Sequence, residues 1–400
     1  MSIINPVPVN ADNIYYDLVV TNLKSDKTEP IQIQFNENRA KSILSNTGEY
    51  DLSIVRFSVD TQTLPVWIPE IQSNQSDRDL TIYSVTLSYL PVGFITPFVQ
   101  QTFIRWTPQN ANAKLPPPPN ETASGFQSNN GFYYYAFSFQ WVIKTIFQAY
   151  QTCFADLLAQ VQTAGYSDLN DVLPPIITWD TSTSTASIVA ESSYFNNMSV
   201  TNNTLVENPQ AIQLYYNSPL FALFSSFPAI NYGISATLGQ NYRMAIGDFT
   251  GVNSMLVPPY TVDDSPQYIC SVVNQEYSTI SNWTPVSSIV FTSNTLPIIS
   301  NQLSSPLIYN EGGIQSLNGN NSKFAKIITD LETNENCYKP NLIYSPTAQY
   351  RIVSMTGNSP LSNIDVSVFW KSRLGVLYPL LLMSGSSTTL KFLFTKKKLV

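Results

Sequence analysis

Short runs that alternate apolar and polar residues recur along the whole chain, and they constrain its fold more than any other feature. A period of two puts one side chain into a core and the next into solvent, the mark of a half-buried strand. Residues 31–35, 52–57 and 80–87 read this way. Residues 176–179 and 187–190 flank Asp180-Thr181-Ser182-Thr183-Ser184 and predict a hairpin. Further strands are expected at 269–273, 288–292, 341–344, 350–355, 364–370 and 388–394. Clusters of Pro, Asn, Ser and Gly separate the runs. Many short strands with turns between them point to a β-sandwich or barrel rather than a parallel α/β sheet.

One segment has a different period. Between 138 and 162 the large apolar residues fall at 143, 146, 147, 150, 154, 157, 158 and 161, a 3.6-residue stripe. Lys144, Gln148, Gln151 and Gln160 fill the opposite face. The spacing predicts a helix over 138–162 that docks on a sheet and buries Phe147 while exposing Lys144. Its polar face is glutamine rather than lysine, which argues against a DNA-reading or membrane-surface helix.

The connections carry less information. Pro116 to Pro119 force polyproline II, either as a stiff loop between strands or as a ligand for a proline-reading domain. Residues 310–322 read as a flexible surface loop. Ser53-Ile54-Val55-Arg56-Phe57, followed by Leu64-Pro65-Val66, is echoed by Ser288-Ile289-Val290-Phe291 and Leu296-Pro297-Ile298. Two repeats of one β-sandwich would produce this echo, and so would chance between two ordinary strands. The expected organisation is N-terminal strands over 1–105, an insertion over 106–230 holding the proline loop, helix and hairpin, and C-terminal strands over 231–400 completing the sandwich.

Little chemistry is available. The chain has no histidine, which removes His bases, Ser-His or Cys-His pairs and His metal ligands. The spacings for dinucleotide, phosphate-loop and hydrolase motifs do not occur. The pairs Asp77/Asp79 and Asp263/Asp264 sit in turn-like stretches, where a solvated loop outweighs acid–base or Ca²⁺ chemistry. Cys153, Cys270 and Cys337 are widely spaced and odd in number, unlike a disulfide framework or a zinc site. No catalytic residue, metal or cofactor is expected. No apolar run approaches the length needed to span a bilayer, so the chain is not expected to be an integral membrane protein.

The surface is expected to be neutral and hydrogen-bonding. Ser, Thr, Asn and Gln supply 138 of 400 residues, while charged residues make up 12%. The net charge is −7, yet residues 366–400 hold six basic residues and no acid, ending in Lys396-Lys397-Lys398. These three lysines follow an alternating strand that places Leu390, Phe392 and Phe394 on one face. They are the candidate interaction residues, with phosphate, an acidic neighbour, an anionic membrane or plain solvation as the open readings.

The stretch IDVSVFWKSRLGVLYPLLLMSGSSTTLKFLFTKKK, at 364–398, resembles the C-terminal end of jelly-roll minor capsid proteins, which form the pentons of virophages and polinton-like DNA viruses. Related features are YYNSPLFALFSSFP at 215–228, WTPVSSIVFTSNTLPI at 283–298, FAKIITDLE at 324–332 and LIYSPTAQYRIVSM at 342–355. The resemblance implies an antiparallel jelly-roll β-sandwich with one inserted amphipathic helix. It implies a structural role in an icosahedral shell, in a virion assembled inside the host cell. The expected partners are further copies of the chain, as a homopentamer or as a trimer if the fold is a double jelly roll of the major-capsid kind. Neighbouring capsid proteins follow, and packaged genome through Lys396, Lys397 and Lys398. A lectin-like sandwich that binds carbohydrate, or a His-free enzyme using carboxylates, would be the alternatives from other classes.

Overall fold

The computed structural model describes residues 11–23, 30–59, 61–73, 76–110, 113–119, 127, 129, 132–201, 204–234, 239–247, 254–260, 268–299, 307–310, 313–316, 326–332, 342–344 and 351–398. Backbone contacts divide the chain into unit 1, residues 1–66 and 285–400, and unit 2, residues 67–284.

Unit 1 opens with β1 (Asn13–Thr21), β2 (Ile31–Gln32), β3 (Gln34–Asn38) and β4 (Tyr50–Val59). Unit 2 contributes β5 (Leu80–Tyr89), β6 (Phe98–Arg105), the helix α1 (Phe139–Thr163), β7 (Ile176–Asp180), β8 (Thr185–Glu191), β9 (Asn197–Thr201), β10 (Thr204–Glu207), β11 (Gln213–Tyr216), α2 (Ser218–Leu223), β12 (Ala229–Asn231), β13 (Tyr242–Met244), β14 (Ser254–Tyr260) and β15 (Tyr268–Asn274). Unit 1 resumes with β16 (Val286–Ser293), β17 (Leu307–Asn310), β18 (Gly313–Ser316), β19 (Lys326–Glu332), β20 (Leu342–Tyr344), β21 (Val353–Ser354), β22 (Asn363–Ser372), β23 (Val376–Pro379), β24 (Leu381–Leu382) and β25 (Ser387–Lys396).

In unit 1 one sheet runs β1-β25-β4-β20, with β21 also on β4. The other runs β18-β17-β23-β22-β16-β19, with β3 also on β22. Every pairing is antiparallel except β17 with β23. The core forms because alternate residues point inward: Ile14, Tyr16 and Leu18 of β1, Leu390, Phe392 and Phe394 of β25, and Phe35 of β3 are all buried. Phe57 of β4 meets Phe291 of β16 edge to face at 4.8 Å, which joins the two sheets across that core. Each such side chain stabilises the fold by roughly 1.5–3 kcal/mol.

That contact also resolves the sequence echo. Phe57 and Phe291 are corresponding residues of the two similar segments, and their strands face one another within a single unit. The echo therefore belongs to the two sheets of one sandwich, not to two repeated sandwiches.

In unit 2 the sheet order is β12-β13-β11-β5-β6 in one sheet and β14-β15-β8-β7 in the other, with β9 and β10 as a separate ribbon. The helix α1 packs on β5, β6 and β7. It forms where expected because no Pro or Gly interrupts residues 139–163. It stops at Gly165, whose φ of 91° is left-handed, and Tyr166 returns its N–H to the Val161 carbonyl. The buried face is not quite the expected one. It runs through Val142, Ile146, Ala149, Tyr150, Cys153, Leu157 and Val161, while Phe147 lies half-buried at its margin. Small residues at 149 and 153 let the helix approach the sheet, so that Cys153 Sγ lies 3.2 Å from the Gln100 carbonyl. Counting only large apolar residues missed that rotation. Lys144 is exposed and caps the Trp141 ring at 5.0 Å.

Backbone pairing places the units differently from the expected divisions at 105 and 230. β5 and β6, assigned to the N-terminal strands, hydrogen-bond in a sheet with β11 to β13. β13 to β15, assigned to the C-terminal strands, also complete the sheets of unit 2. The expected hairpin is β7–β8. Its turn is held by Asp180, which accepts from the Ser182 N–H at 2.8 Å and the Thr183 hydroxyl at 2.9 Å. In the proline segment Pro116 and Pro119 are buried while Leu115, Pro117 and Pro118 are exposed. Three residues per turn put 116 and 119 on one ridge, and Arg78 donates to the Pro116 carbonyl at 2.7 Å. That ridge is packed inside the chain, as a stiff loop requires. Within the stretch expected to be a surface loop, residues 313–316 form β18; most of its remainder lies outside the described residues.

Candidate interaction surface at the C-terminal strand

β25 is an interior strand, paired along its length with β1 on one side and β4 on the other. Leu390, Phe392 and Phe394 are fully buried, as the alternation requires. The lysines that follow are not three equivalent free cations. Lys396 gives its backbone N–H to Asp12 at 2.7 Å and brings Nζ to 3.7 Å from Glu49. Lys397 donates its backbone N–H to the Glu49 carbonyl at 2.8 Å. Its Nζ donates to the carbonyls of Met355 at 2.7 Å and Gly48 at 3.0 Å, and lies 3.9 Å from Asp51. Lys398 is exposed.

The partners of Lys397 are themselves tied together. Gly48 donates to the Gly357 carbonyl at 2.7 Å, and Ser354 donates to Asp51 at 2.7 Å. A Cβ at Gly48 would lie 2.6 Å from the Gly357 carbonyl oxygen, so only glycine lets these two segments approach. Lys397 thus clasps residues 48–51 and 353–357, drawn from both sequence halves of unit 1.

A second charged group lies on the outer face of the same sheet. Asp17, Lys391 and Arg56 stand in register across β1, β25 and β4. Asp17 lies 3.3 Å from Lys391 and 3.5 Å from Arg56, and Lys391 Nζ sits 5.8 Å from the Tyr15 ring centre. Tyr15 and Val19 flank this row and are 61% and 63% exposed. The sequence reading missed β1 altogether. Its inward residues alternate cleanly, but the outward Tyr15 and Val19 are apolar too, so the period of two is hidden. An apolar outward face on an otherwise regular strand is the signal that could have found it.

The remaining polar clusters serve the fold. Asp77 accepts from the Asp79 N–H at 3.1 Å and from Arg105 at 2.6 Å, and these contacts hold its carboxyl below the ordinary range. Asp79 accepts from the Tyr133 hydroxyl at 2.7 Å. Asp263 and Asp264 lie outside the described residues, as does Cys337. Cys153 and Cys270 are free thiols, and burial pushes the Cys153 thiol up to about 11. Among the described residues no three His, Cys, Asp or Glu side chains converge as metal ligands. No described helix is long and apolar enough to cross a membrane.

Residues 14–396 match the family model described as Sputnik minor capsid protein V18/19. Among curated proteins, structural protein V19 of Sputnik virophage is 28% identical over 222 residues, 55% of this chain and 94% of that protein. Protein V18 of the same virophage is 29% identical over 151 residues, 38% of this chain and 87% of that protein. Among solved structures, a chain of the Sputnik virophage cryo-EM structure superposes with a TM-score of 0.73 and 26% identity, covering 97% of this chain and 99% of that one. The mavirus penton protein superposes with a TM-score of 0.59 and 14% identity, covering 97% and 100%, a likeness of fold alone.

Proposed function

The chain belongs to the Sputnik minor capsid protein V18/19 family, and on that premise we propose that it is the penton subunit of an icosahedral shell, five copies closing one ring. Its role is structural, in the virion, and it acts by associating with itself and with other capsid subunits rather than by catalysis. The observation that carries the penton reading is the strand order of unit 1. One sheet places β1, β25, β4 and β20 side by side, and the other places β3, β22, β16 and β19 side by side. These eight strands, four from each sheet with the first beside the last, have the arrangement of a jelly roll. Unit 2 is differently built, with a 25-residue helix against its sheets, which favours a single jelly roll bearing an insertion over the double roll of a trimer.

Within that reading the C-terminal lysines divide their work. Lys396 and Lys397 fasten the end of β25 inside their own subunit, and Lys398 is the cation left for an acidic neighbour or for packaged genome. Native mass measurement of the concentrated full-length protein tests the ring. Pentamers are expected. A strict monomer at high concentration, absent also from purified particles, would overturn the reading.

A further inference from the structure

Among the described residues β1 is an edge strand, with half of its backbone hydrogen-bonding groups turned away from β25. Asp12 and Asn22 bracket it and bond to the two ends of the β25 segment: the Lys396 N–H donates to the Asp12 carbonyl at 2.7 Å, and the Asn22 N–H donates at 3.0 Å to the carbonyl of Ser386, the residue before β25. The register between these points is unbroken. In an antiparallel pair only every second residue bonds to a given neighbour. The even-numbered residues of β1 therefore face β25, and the N–H and C=O groups of Asn13, Tyr15, Asp17, Val19 and Thr21 all point to the other side. Among the described residues no strand pairs there.

Proteins whose edges stay free blunt them with proline, lysine, a bulge or a short strand. β1 has none of these: it is nine residues long, regular, and carries one charge, Asp17. That charge is already offset by Lys391 at 3.3 Å and Arg56 at 3.5 Å, so it does not repel an incoming strand. On either side of it Tyr15 and Val19 offer apolar surface at alternate positions, the spacing that a paired strand covers. We infer that a strand of a second copy of this chain adds to the open edge of β1, extending the sheet across the subunit boundary. This inference rests on the ring reading above and names its contact. Contacts around a closed ring are heterologous, so the added strand is a different edge of the neighbouring copy, not its β1.

Amide hydrogen exchange on the full-length wild-type protein reads this directly, in the concentrated assembly and after dissociation by dilution. The amides of Tyr15, Asp17 and Val19 are expected to slow on the order of tenfold or more on assembly, while those of Ile14, Tyr16 and Leu18 stay protected in both states. Val19→Pro removes an outward N–H without touching a bond to β25 and should leave the monomer folded but unable to assemble. Val19→Lys, which keeps a full backbone and adds a gatekeeper charge, should do the same. An assembled wild type whose odd-numbered amides exchange as fast as in the monomer would overturn the inference while leaving the ring intact. So would protection that appears only when another virion protein is added, and so would a crosslink between two β1 strands. A wild type that never assembles would instead strike at the ring reading itself.

Discussion

Asp365 closes the turn after β16 through both of its carboxylate oxygens. It accepts from the Ser293 hydroxyl at 2.6 Å, the Asn294 N–H at 2.9 Å, the Thr295 N–H at 3.0 Å and the Thr295 hydroxyl. Partial burial works to raise its pKa, but these four bonds together outweigh it and hold the carboxyl below the ordinary range. A depressed folded-state pKa adds stability above the unfolded value of about 4, and that stability is lost as the pH falls through the folded value. Asp365→Asn is therefore expected to cost roughly 1–3 kcal/mol at pH 7. In urea titrations at several pH values, the gap between variant and wild type should narrow below about pH 4. The Tyr150 and Tyr216 hydroxyls share a hydrogen bond at the centre of unit 2, and burial pushes both phenols up, so both stay neutral. Removing one hydroxyl strands the other without its partner, at about 1–3 kcal/mol. The double Phe variant should cost clearly less than the sum of the two single ones, which a double-mutant cycle would measure.

At the scale of elements, α1 gives the sharpest contrast between two substitutions less than one turn apart. Ile146→Asp places an unpaired charge on the buried face of α1 and should cost at least ~3 kcal/mol. Lys144→Asp lies on the exposed face and should cost about 0.5 kcal/mol or less. Similar melting temperatures for the two would mean the helix is buried by another face. How far such elements were legible depended on whether their two faces differ in chemistry. β25 and the β7–β8 hairpin were readable because buried Leu390, Phe392 and Phe394 alternate with Lys391 and Thr395, and because Asp180 to Ser184 is a turn by composition. β5 looked half-buried, but its hydroxyl residues Thr81, Ser84, Thr86 and Ser88 are buried as well. Period-two reasoning assumes that polar means wet, and these hydroxyl residues satisfy themselves locally instead, as Thr81 does by donating to Ile104 at 2.7 Å. β1 was hidden for the opposite reason, apolar residues on an exposed face. The partners of Lys397 were beyond reach because Gly48 and Asp51 stand some 350 positions away in sequence, and no periodicity encodes that distance.

At the scale of the whole molecule, the two units differ in continuity and in charge. Unit 2 is one unbroken stretch, residues 67–284, with its own sheets and helix. A fragment of that span is expected to fold alone, with a cooperative transition in circular dichroism. Unit 1 holds 15 basic and 13 acidic residues, a net of +2, while unit 2 holds 5 and 14, a net of −9. The acidic balance of the chain thus resides in unit 2, and the lysine clasp sits in the unit that is close to neutral. Unit 1 must also join two segments separated by all of unit 2, and Lys397 ties residues 48–51 to 353–357 where those segments meet. Its side chain is about one-third exposed, so solvent weakens the attraction to Asp51, while the two carbonyl bonds remain. Lys397→Gln is therefore expected to lower stability by about 1 kcal/mol. Lys398→Gln should leave the melting temperature unchanged, because an exposed end residue adds little to the fold. The two substitutions should separate again in assembly. If Lys398 meets an acidic surface of a neighbour, Lys398→Gln raises the concentration needed to assemble, and salt near 0.5 M raises that of the wild type to match, because a Debye length of about 4 Å screens an exposed pair. Equal assembly of wild type and Lys398→Gln at every salt concentration, followed by sedimentation, would reduce Lys398 to a solvated end and leave Lys397 as the lysine that matters, acting within the subunit.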